Sequence, residues 1–264
     1  MADDGQRTRD VDGRRQRILD FLQRETSAQV IELAERFGVS RMTVHRDLDA
    51  LSEQGFIRKV HGGARARSLK LVETDFAQRC TVALAEKRAI VRTAAALVQP
   101  GQIVAIDDSS TCRMLADELA EIDGLTIITN ALGILDRLHA VQHLTVIGLG
   151  GTYKPHYNGF FGMVTERAMR GLRANIVFIS AQTIGEDAVF HPDELIAKNQ
   201  RSFMAISDRR VLMANSQKFG ATALHRVCDV AAFDAVVTDA GIDENELDRL
   251  RDAKLDVLVA DPST

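Results

Sequence analysis

Apolar residues near the start of the chain recur three and four positions apart, which is the spacing of one face of an α-helix. Three such runs cover residues 18–22, 30–37 and 44–51. Gly38 follows the second run, and the hydroxyl of Ser40 can accept a hydrogen bond from the backbone near Thr43. The pattern therefore predicts three short amphipathic helices, the last two joined as a helix-turn-helix.

The opposite face of the third predicted helix carries side chains that suit DNA. Arginine and histidine donate hydrogen bonds to base edges and phosphates, and the methyl groups of methionine and threonine can contact thymine. Residues 56–61 then alternate as a short basic strand, and the Gly62-Gly63 pair lets the backbone turn closely against a groove or phosphate. These segments predict a recognition helix and a wing. The candidate DNA contacts are Ser40, Arg41, Met42, Thr43, His45, Arg46, Arg58, Lys59, His61, Gly62 and Gly63.

A charged helix face is more often only solvated, and Asp47 and Asp49 interrupt the basic character of this one. Each of these features alone is weak evidence for DNA binding. Their joint occurrence, in the order helix, turn, helix and basic hairpin, favours a DNA-reading domain.

From residue 84 onward, apolar strands alternate with amphipathic helices. Near-continuous apolar strands separated by helices are typical of an open, mostly parallel α/β sheet covered on both faces. The predicted strands are residues 103–107, 125–129, 144–149, 176–180, 211–214, 235–238 and 257–259. The predicted helices are residues 86–98, 111–120, 132–139, 161–172, 193–206 and 245–253.

Polar residues follow most of these strands, at the edge where open α/β sheets bind ligands. The hydroxyls and amides of residues 109–111 precede a helix, which suits a phosphate group, and Lys218 can contact the same anion. Helix capping or turn formation also explains each single loop. The candidate effector contacts are Asp107, Ser109, Ser110, Thr111, Thr129, Asn130, Gly150, Gly151, Lys154, Gln182, Glu194, Asn215 and Lys218.

Charge divides the chain in the same way. Residues 1–70 carry a net charge of +3 and the remainder carries −7, which together give −4 at pH 7. A basic excess favours contact with phosphates, whereas the acidic remainder would be repelled by a duplex. The sequence predicts a disordered tail (1–13), a winged helix-turn-helix domain (14–66), a linker (67–83) and an effector-sensing and oligomerisation domain (84–264).

Motifs for metal and cofactor chemistry are missing from the sequence. Cys80, Cys112 and Cys228 are too far apart for a local metal pair, and the histidines lack the HExxH spacing of a zinc site. A Gly-x-Ser-x-Gly elbow and a Walker phosphate loop are also missing. We therefore expect no cofactor and no metal. Because no signal peptide and no apolar run of roughly 18 residues occurs, we expect a cytoplasmic protein with no membrane partner.

The run GVSRMTVHRDLDALSEQGFIRKVHGGA, residues 38–64, resembles the N-terminal signature of the DeoR family of bacterial transcriptional regulators. The motifs DDSST (107–111), ITN (128–130), LGGT (149–152) and SQKFG (216–220) resemble the sensor domain of that family. The resemblance extends from residue 14 to about residue 260. It implies a sensor fold similar to ribose-phosphate isomerases and coenzyme A transferases, and a phosphorylated sugar or polyol as effector.

Four positions depart from the family pattern. His45 stands where the family usually has Arg, and Gln29 stands where it has a Ser or Thr helix cap, which leaves Ser27 as an alternative cap. Gln182 and Asn215 stand where relatives often carry Asp. Because amides replace carboxylates and add hydrogen-bond donors at these two positions, we expect the effector to differ from the usual one.

The sequence thus predicts a DNA-binding regulator that is not an enzyme. It would repress a carbohydrate or polyol catabolic operon as a dimer or tetramer on double-stranded operator DNA, and a phosphorylated sugar-like effector would relieve repression. One alternative is a sugar-phosphate isomerase-like enzyme with a DNA-binding appendage, in which Glu194 would act as a general base. Another is a DNA-binding protein whose C-terminal half only oligomerises.

Overall fold

The structure is a computed structural model that describes residues 13–15, 17–19, 21–22, 25, 27–53, 57–60, 62–66 and 75–261. The predicted disordered tail before residue 13 and the first part of the predicted linker, residues 67–74, lie outside the described residues. Contacts between residues divide the chain into two compact units, residues 1–73 and 74–264. None of the helices within the described ranges has the length and apolar character needed to cross a bilayer.

The described part of the N-terminal unit consists of three helices and a small antiparallel sheet. Its core is formed by the apolar face of each helix, and Ile18, Leu33 and Leu48 are fully buried there. The helices are α1 (described at 13–15, 17–19 and 21–22), α2 (Val30–Phe37) and α3 (Arg41–Glu53). The strands are β1 (Ser27–Gln29), β2 (Ile57–Val60) and β3 (Gly63–Ala66), in the order β1-β3-β2. The predicted winged helix-turn-helix is confirmed, with β1 as an addition.

The turn between α2 and α3 is built by local backbone chemistry. Gly38 ends α2 with a φ of 63°, which glycine adopts without steric cost, and the Val39 amide donates to the Ala34 carbonyl at 3.1 Å. The Ser40 hydroxyl accepts from the Thr43 amide at 3.1 Å, so its predicted capping role is confirmed. At the other end of α2, Gln29 is the N-cap without a side-chain hydrogen bond. The alternative cap Ser27 is wrong, because that residue is paired in β1.

A seven-stranded, all-parallel sheet forms the centre of the C-terminal unit, in the order β15-β14-β12-β9-β4-β5-β6. Its strands are β4 (Ile103–Ile106), β5 (Thr126–Thr129), β6 (Thr145–Gly148), β9 (Ala174–Ser180), β12 (Ser207–Met213), β14 (Ala235–Asp239) and β15 (Asp256–Ala260). The other strands are β7 (Thr152–Lys154), β8 (Gly159–Phe161), β10 (Thr183–Ile184), β11 (Ala188–His191) and β13 (His225–Asp229). The predicted open parallel sheet is confirmed, whereas these five additional strands were not predicted.

Helices cover both faces of the sheet. One apolar layer contains Ile90, Leu115 and Ile134, and the other contains Met169, Phe203 and Leu250. The helices of the C-terminal unit are α4 (Phe76–Arg79), α5 (Leu84–Ala95), α6 (Ser110–Leu119), α7 (Leu132–Leu138), α8 (Met163–Arg170), α9 (Glu194–Ala205) and α10 (Glu244–Asp252). Because both faces are buried, the strands have the continuous apolar runs from which they were predicted.

The strand order reverses direction beside β4. From β4 the chain adds β5 and β6 on one side, then returns to place β9 on the other side of β4 and continues outward through β12. Loops leaving β4 and β9 therefore run in opposite directions, which opens a crevice at the carboxyl ends of these two strands. This switch point is the natural ligand position in the fold.

Residues 75–83 belong to the C-terminal unit, although the sequence placed them in a linker. They contain α4, and the Phe76 amide donates to the His156 carbonyl at 3.1 Å. The Lys87 ammonium also donates to the Arg79 carbonyl. These two hydrogen bonds attach α4 to the C-terminal unit of the same chain.

Candidate functional site

The first candidate site is the outer face of α3. Arg41, Met42, His45 and Arg46 are exposed together, with 64% of Met42 accessible, whereas Val44 and Leu48 point into the core. Within the described residues, the side chains of Arg41, His45 and Arg46 make no hydrogen bond to the protein. Thr43 is half-buried, and its hydroxyl lies 2.9 Å from that of Ser40. The arrangement leaves one row of polar groups able to reach base edges.

Asp47 does not interrupt this row, contrary to the sequence expectation. It is 1% exposed and accepts hydrogen bonds from Arg14 Nε at 2.6 Å and Arg15 Nε at 3.1 Å. These two contacts hold α1 against α3 in the N-terminal unit. Asp49 is exposed and forms an ion pair with Lys59, a predicted phosphate contact, so part of that positive charge is already compensated.

Glycine is required at Gly62 and Gly63 of the wing for two different reasons. Gly62 has a φ of 75°, and its carbonyl accepts from the Val30 amide at 2.9 Å. Gly63 is buried, and a Cβ atom there would lie 2.2 Å from the Ala28 carbonyl oxygen. Packing of β3 against β1 therefore explains Gly63 without a DNA contact. The side chain of Arg58 and all of His61, both candidate DNA contacts, lie outside the described residues.

The second candidate site is the switch point between β4 and β9. Asp107, directly after β4, is 1% exposed. Its Oδ1 accepts from the Ser109 amide at 3.0 Å, and its Oδ2 accepts from the Ser180 amide at 3.2 Å and from Gln200 Nε2 at 3.0 Å. With both oxygens engaged, Asp107 acts as a clamp between the ends of the two strands and positions the neighbouring loops.

The start of α6 places three hydroxyls beside this clamp. The Ser109 hydroxyl caps the helix by accepting from the Cys112 amide at 3.0 Å, so capping explains this residue fully. The Ser110 hydroxyl accepts from Lys87 Nζ at 3.0 Å, and the Thr111 hydroxyl accepts from Ser180 Oγ at 3.4 Å. These two hydroxyls connect α6 to α5 and β9, and each residue is 5% exposed.

The loop after β5 adds buried polar atoms next to Asp108. The Thr129 hydroxyl accepts from the Ala131 amide at 3.1 Å, which is a turn contact. Asn130 Nδ2 donates to the Phe160 carbonyl at 3.0 Å and lies 3.5 Å from Asp108 Oδ1. Its Oδ1 is buried and has no partner among the described residues. An unsatisfied buried acceptor of this kind is expected to be filled by a water or a ligand.

The hairpin of β7 and β8 lies beside the loop after β5, because the Phe160 amide donates to the Asn130 carbonyl at 2.8 Å. The Gly150 carbonyl accepts from the Thr165 hydroxyl at 2.7 Å, and a Cβ at Gly151 would lie 2.2 Å from the same hydroxyl oxygen. Packing against α8 thus accounts for Gly151, whereas a Cβ at Gly150 would meet nothing within 4 Å. Lys154 is exposed at the end of β7.

Glu194, the candidate base of the enzyme alternative, is exposed in the first turn of α9. A carboxylate at a helix start is stabilised there by the helix dipole, which gives the residue an ordinary structural reason.

Beyond β12 and β9, Lys218 and Gln182 contact each other. Lys218 Nζ donates to Gln182 Oε1 at 3.2 Å, whereas Asn215 is buried with its Oδ1 unpartnered among the described residues. The loop is held by Asp239, which accepts from the Ser216 amide at 2.7 Å and the Gly241 amide at 2.9 Å. The structure therefore brings the predicted amide Gln182 to the predicted cation Lys218.

Two buried residues of the crevice were missed from the sequence, Lys87 and Gln200. Gln200 Nε2 donates to Asp107 Oδ2 and to the Ser180 carbonyl, and Lys87 joins Ser110 to the Arg79 carbonyl. Each lies on the apolar face of its helix, three and four positions before buried apolar residues. A polar residue on the apolar face of a predicted helix was the sequence signal that could have identified both residues as part of the site. Burial lowers the pKa of Lys87 to about 8.

Comparisons with known proteins agree with the division into two units. Residues 14–69 match the DeoR-like helix-turn-helix domain, and residues 82–240 match the DeoR C-terminal sensor domain. The chain is 31% identical to the uncharacterized HTH-type transcriptional regulator YgbI of Escherichia coli K12, over 94% of this chain and 97% of that protein. It is 30% identical to a lactose phosphotransferase system repressor of Staphylococcus epidermidis, over 84% and 89% of the two chains.

Among solved structures, ribose 5-phosphate isomerase A of Neisseria gonorrhoeae is similar to 51% of this chain, and 53% of that chain is covered. The sequence identity is 12% and the TM-score is 0.39, so this likeness says nothing about activity.

Fold and sites together define a two-part regulator, with a winged helix-turn-helix and a separate α/β sensor domain. The chain belongs to the DeoR family of transcriptional regulators.

Proposed function

We propose that this protein is an operator-binding repressor of a carbohydrate or polyol operon in the cytoplasm, and that a phosphorylated sugar or polyol releases it from DNA. The observation that carries the DNA-binding half is the exposed row Arg41, Met42, His45 and Arg46 on α3. A relative that is named as a repressor of a lactose phosphotransferase system supports the repressing sign and the carbohydrate class.

In this proposal two subunits present α3 to half-sites about 34–36 Å apart, or a multiple of that distance. The wing grips phosphates through Lys59, Arg58 and its backbone. Since each neutralised phosphate releases counterions, log K should fall with log salt at a slope near −0.9 for every phosphate contacted. Sedimentation of the protein with and without operator DNA would distinguish a dimer from a tetramer.

The effector half of the proposal rests on the crevice at β4 and β9. The hydroxyls of Ser110 and Thr111 lie there, with Lys87 bonded to Ser110, and the Asn130 amide lies 3.5 Å from Asp108 in the loop that precedes them. Hydroxyls and an ammonium suit a phosphate, while unpartnered amide oxygens suit the hydroxyls of a sugar or polyol. Effector binding alters DNA affinity only if it favours one state of the subunit over another.

The decisive experiment is a titration of the purified full-length protein on a fluorescent duplex from its own promoter, with a panel of sugar and polyol phosphates. We expect nanomolar binding that one phosphorylated compound reverses while its unphosphorylated form does not. Binding of every duplex with equal affinity, or release by none of the compounds, would contradict the proposal. A reporter gene under the same promoter separates repression from activation.

The same panel tests the amide positions. If Gln182 and Asn215 select an unusual effector, the variants Gln182→Asp and Asn215→Asp should change which compound releases DNA. An unaltered order of potency in both variants would show that these amides do not set specificity. Incubation of each compound with the protein, followed by analysis of products, checks that no isomerisation occurs.

A further inference from the structure

Gln200 is a buried amide at the switch point, and only one half of this amide is in use. The residue lies on α9 and is 2% exposed. Its Nε2 donates to Asp107 Oδ2 at 3.0 Å and to the Ser180 carbonyl at 3.1 Å. Its Oε1 is buried and has no partner among the residues that the structure describes. Because a buried acceptor without a donor costs free energy, the position favours a molecule that donates a hydrogen bond there.

The neighbours of Gln200 decide which end of the amide is left over. The oxygen and the nitrogen of a glutamine amide are similar in size, so the surrounding hydrogen bonds determine which is which. Turning the amide over would place Oε1 against the Asp107 carboxylate and the Ser180 carbonyl, which are both acceptors, and both hydrogen bonds would be lost. The oxygen is therefore the end that remains available, and it can only accept.

The surroundings of Gln200 Oε1 are rich in acceptors and carry negative charge. The Asp107 carboxylate is 1% exposed and already accepts from two backbone amides as well as from Gln200. The Ser180 carbonyl and Gln200 Oε1 add two further oxygens. An anionic group brought to this point would meet a like charge and would leave Oε1 unpaired, whereas a hydroxyl or an ammonium can donate to it.

Asn130 repeats the arrangement on the other side of β4. Its Nδ2 donates to the Phe160 carbonyl at 3.0 Å, which fixes the orientation of the amide, and its Oδ1 is buried without a partner in the described ranges. Asn130 follows β5, and Ser180 ends β9; these two strands are the neighbours of β4 in the sheet. The crevice thus has an amide oxygen on each side of β4 that is able to accept from a ligand.

We propose that Gln200 determines the specificity of the crevice, because its Oε1 accepts a hydrogen bond from a hydroxyl or ammonium group of the effector and excludes a compound with a second anionic group at that end. The inference rests on the proposed function, since it concerns the same crevice, and it narrows the class of effector. The class is a sugar or polyol with one phosphate group, whose other end is an alcohol or an amine. A site built to accept from a hydroxyl discriminates strongly against an analogue that cannot donate.

A purely structural role would give Gln200 different properties. As a structural residue alone, it would hold Asp107 and Ser180 in place through Nε2, and its loss would weaken the binding of every compound by a similar factor. As a specificity residue, it changes the order in which compounds bind when its oxygen is removed. The ratio of two affinities therefore separates the two roles.

Two variants divide the amide into its two functions. Gln200→Lys keeps a donor for Asp107 and for the Ser180 carbonyl but removes the acceptor, whereas Gln200→Met removes both. Ala205→Lys places the same added charge at an exposed position of the same helix and is the matched control. Thermal unfolding of each full-length variant checks that the C-terminal unit is folded.

The probes are matched pairs of phosphorylated compounds with the same chain length. One member of each pair is an alditol monophosphate, and the other is the aldonic acid phosphate, in which a carboxylate replaces the terminal hydroxymethyl group. A hexose phosphate and the corresponding hexosamine phosphate distinguish a hydroxyl from an ammonium as the donor. Calorimetric titration of the full-length protein gives the Kd of each probe.

In the wild type, we expect the alditol phosphate to bind roughly 10- to 100-fold more tightly than its aldonic acid partner. Gln200→Met should lose about that factor on the alditol phosphate and gain nothing on the aldonic acid phosphate. Gln200→Lys should lose affinity for the alditol phosphate and gain affinity for the aldonic acid phosphate, so that the preference is reversed. Ala205→Lys should keep the wild-type ratio. Tighter binding of the hexosamine phosphate than of the hexose phosphate identifies an ammonium as the group at Gln200, and the opposite order identifies a hydroxyl.

The outcomes distinguish the inference from the function on which it rests. An aldonic acid phosphate that binds the wild type as tightly as its alditol partner would overturn the inference, and this result requires no variant. Equal weakening of both probes in Gln200→Lys and Gln200→Met would also overturn it, leaving a structural role only. In both cases a phosphorylated compound still binds, so the proposed function stands. A wild-type protein that binds operator and responds to no phosphorylated compound would overturn the proposed function and the inference together.

Discussion

The first turns of α3 and α6 both carry clustered polar residues, but they are built in opposite ways. On α3 the arginines and the histidine are exposed and make no hydrogen bond within the described residues. At α6 the hydroxyls of Ser110 and Thr111 are buried and already bonded to neighbouring elements. A surface with unoccupied side chains can add a partner without breaking contacts. A buried cluster can bind only by exchanging partners, and that exchange is what a sensor needs.

Removing Asp47 should have the largest effect, because its carboxylate lies beneath the exposed face of α3 and anchors that helix. In Asp47→Ala the partly buried ion pairs with Arg14 and Arg15 are lost, which should cost about 2–3 kcal/mol, less than for a fully buried pair because the two arginines keep some contact with solvent. Urea unfolding should show the N-terminal unit melting early while ligand binding to the C-terminal unit persists. Asp49→Ala, which breaks an exposed pair, is the control and should cost less than about 1 kcal/mol. Equal losses would show that Asp47 does not hold α1 to α3.

Substitution of Arg46 by alanine tests the exposed face of α3. A bidentate base contact contributes about 1–3 kcal/mol of discrimination, so operator affinity should fall roughly 10- to 100-fold while binding to random DNA changes little. Fluorescence anisotropy with both duplexes measures the ratio. Arg251→Ala, an exposed residue of α10, serves as the control. If Arg46→Ala left the ratio of operator affinity to random-DNA affinity unchanged, Arg46 would not be part of the surface that recognises the operator sequence.

The pH dependence of effector binding tests the buried cluster at the start of α6. Burial lowers the pKa of Lys87 to about 8; to a smaller extent Cys80 and Glu86 raise this pKa and Arg79 lowers it. Anion affinity should therefore weaken as the pH rises through about 8, approaching tenfold per pH unit for one linked proton. Calorimetric titration of wild type and Lys87→Met should show this slope in the wild type only.

Folding stability follows the opposite trend at this residue. The pKa of Lys87 in the folded protein lies below the ordinary lysine value of 10.5, so the unfolded chain binds more protons between about pH 8 and 10.5. The free energy of unfolding should consequently gain a contribution as the pH rises through that window. Lys87→Met should lack it, and an identical pH profile of stability in both proteins would argue against a buried ammonium.

The smallest effects are expected from the two serine caps. Ser40 caps α3 and Ser109 caps α6, and either serine-to-alanine change should cost about 1 kcal/mol. Ser40→Ala should lower the stability of the N-terminal unit alone, and Ser40→Asn should restore it. Ser109→Ala should lower the stability of the C-terminal unit alone. Thermal unfolding should be monitored separately for the two units. A loss of stability in both units from either substitution would contradict the expectation that they unfold independently.

The sequence predicted the helix-turn-helix and the parallel sheet because their apolar periodicity is long and regular. The hairpin β7 and β8 and the short strands β10 and β11 were missed, since runs of two to four residues carry too little pattern. Within the candidate site, Asp107 joins the loop after β4 to the end of β9, while the effector role predicted for these loops stays a prediction. Lys87 and Gln200 were not found, because their contacts are made with residues 23 and 93 positions away, such as Ser110 and Asp107.

The contact between Gly63 and β1 limits how this protein can acquire a new target sequence. Any side chain at position 63 would collide with the Ala28 carbonyl and push the hairpin off the domain. Met42, His45 and Arg46 are exposed, and no packing contact of this kind restricts the residue type at their positions. Retargeting by evolution or by design can therefore vary the helix freely, while the base of the hairpin must keep its glycine.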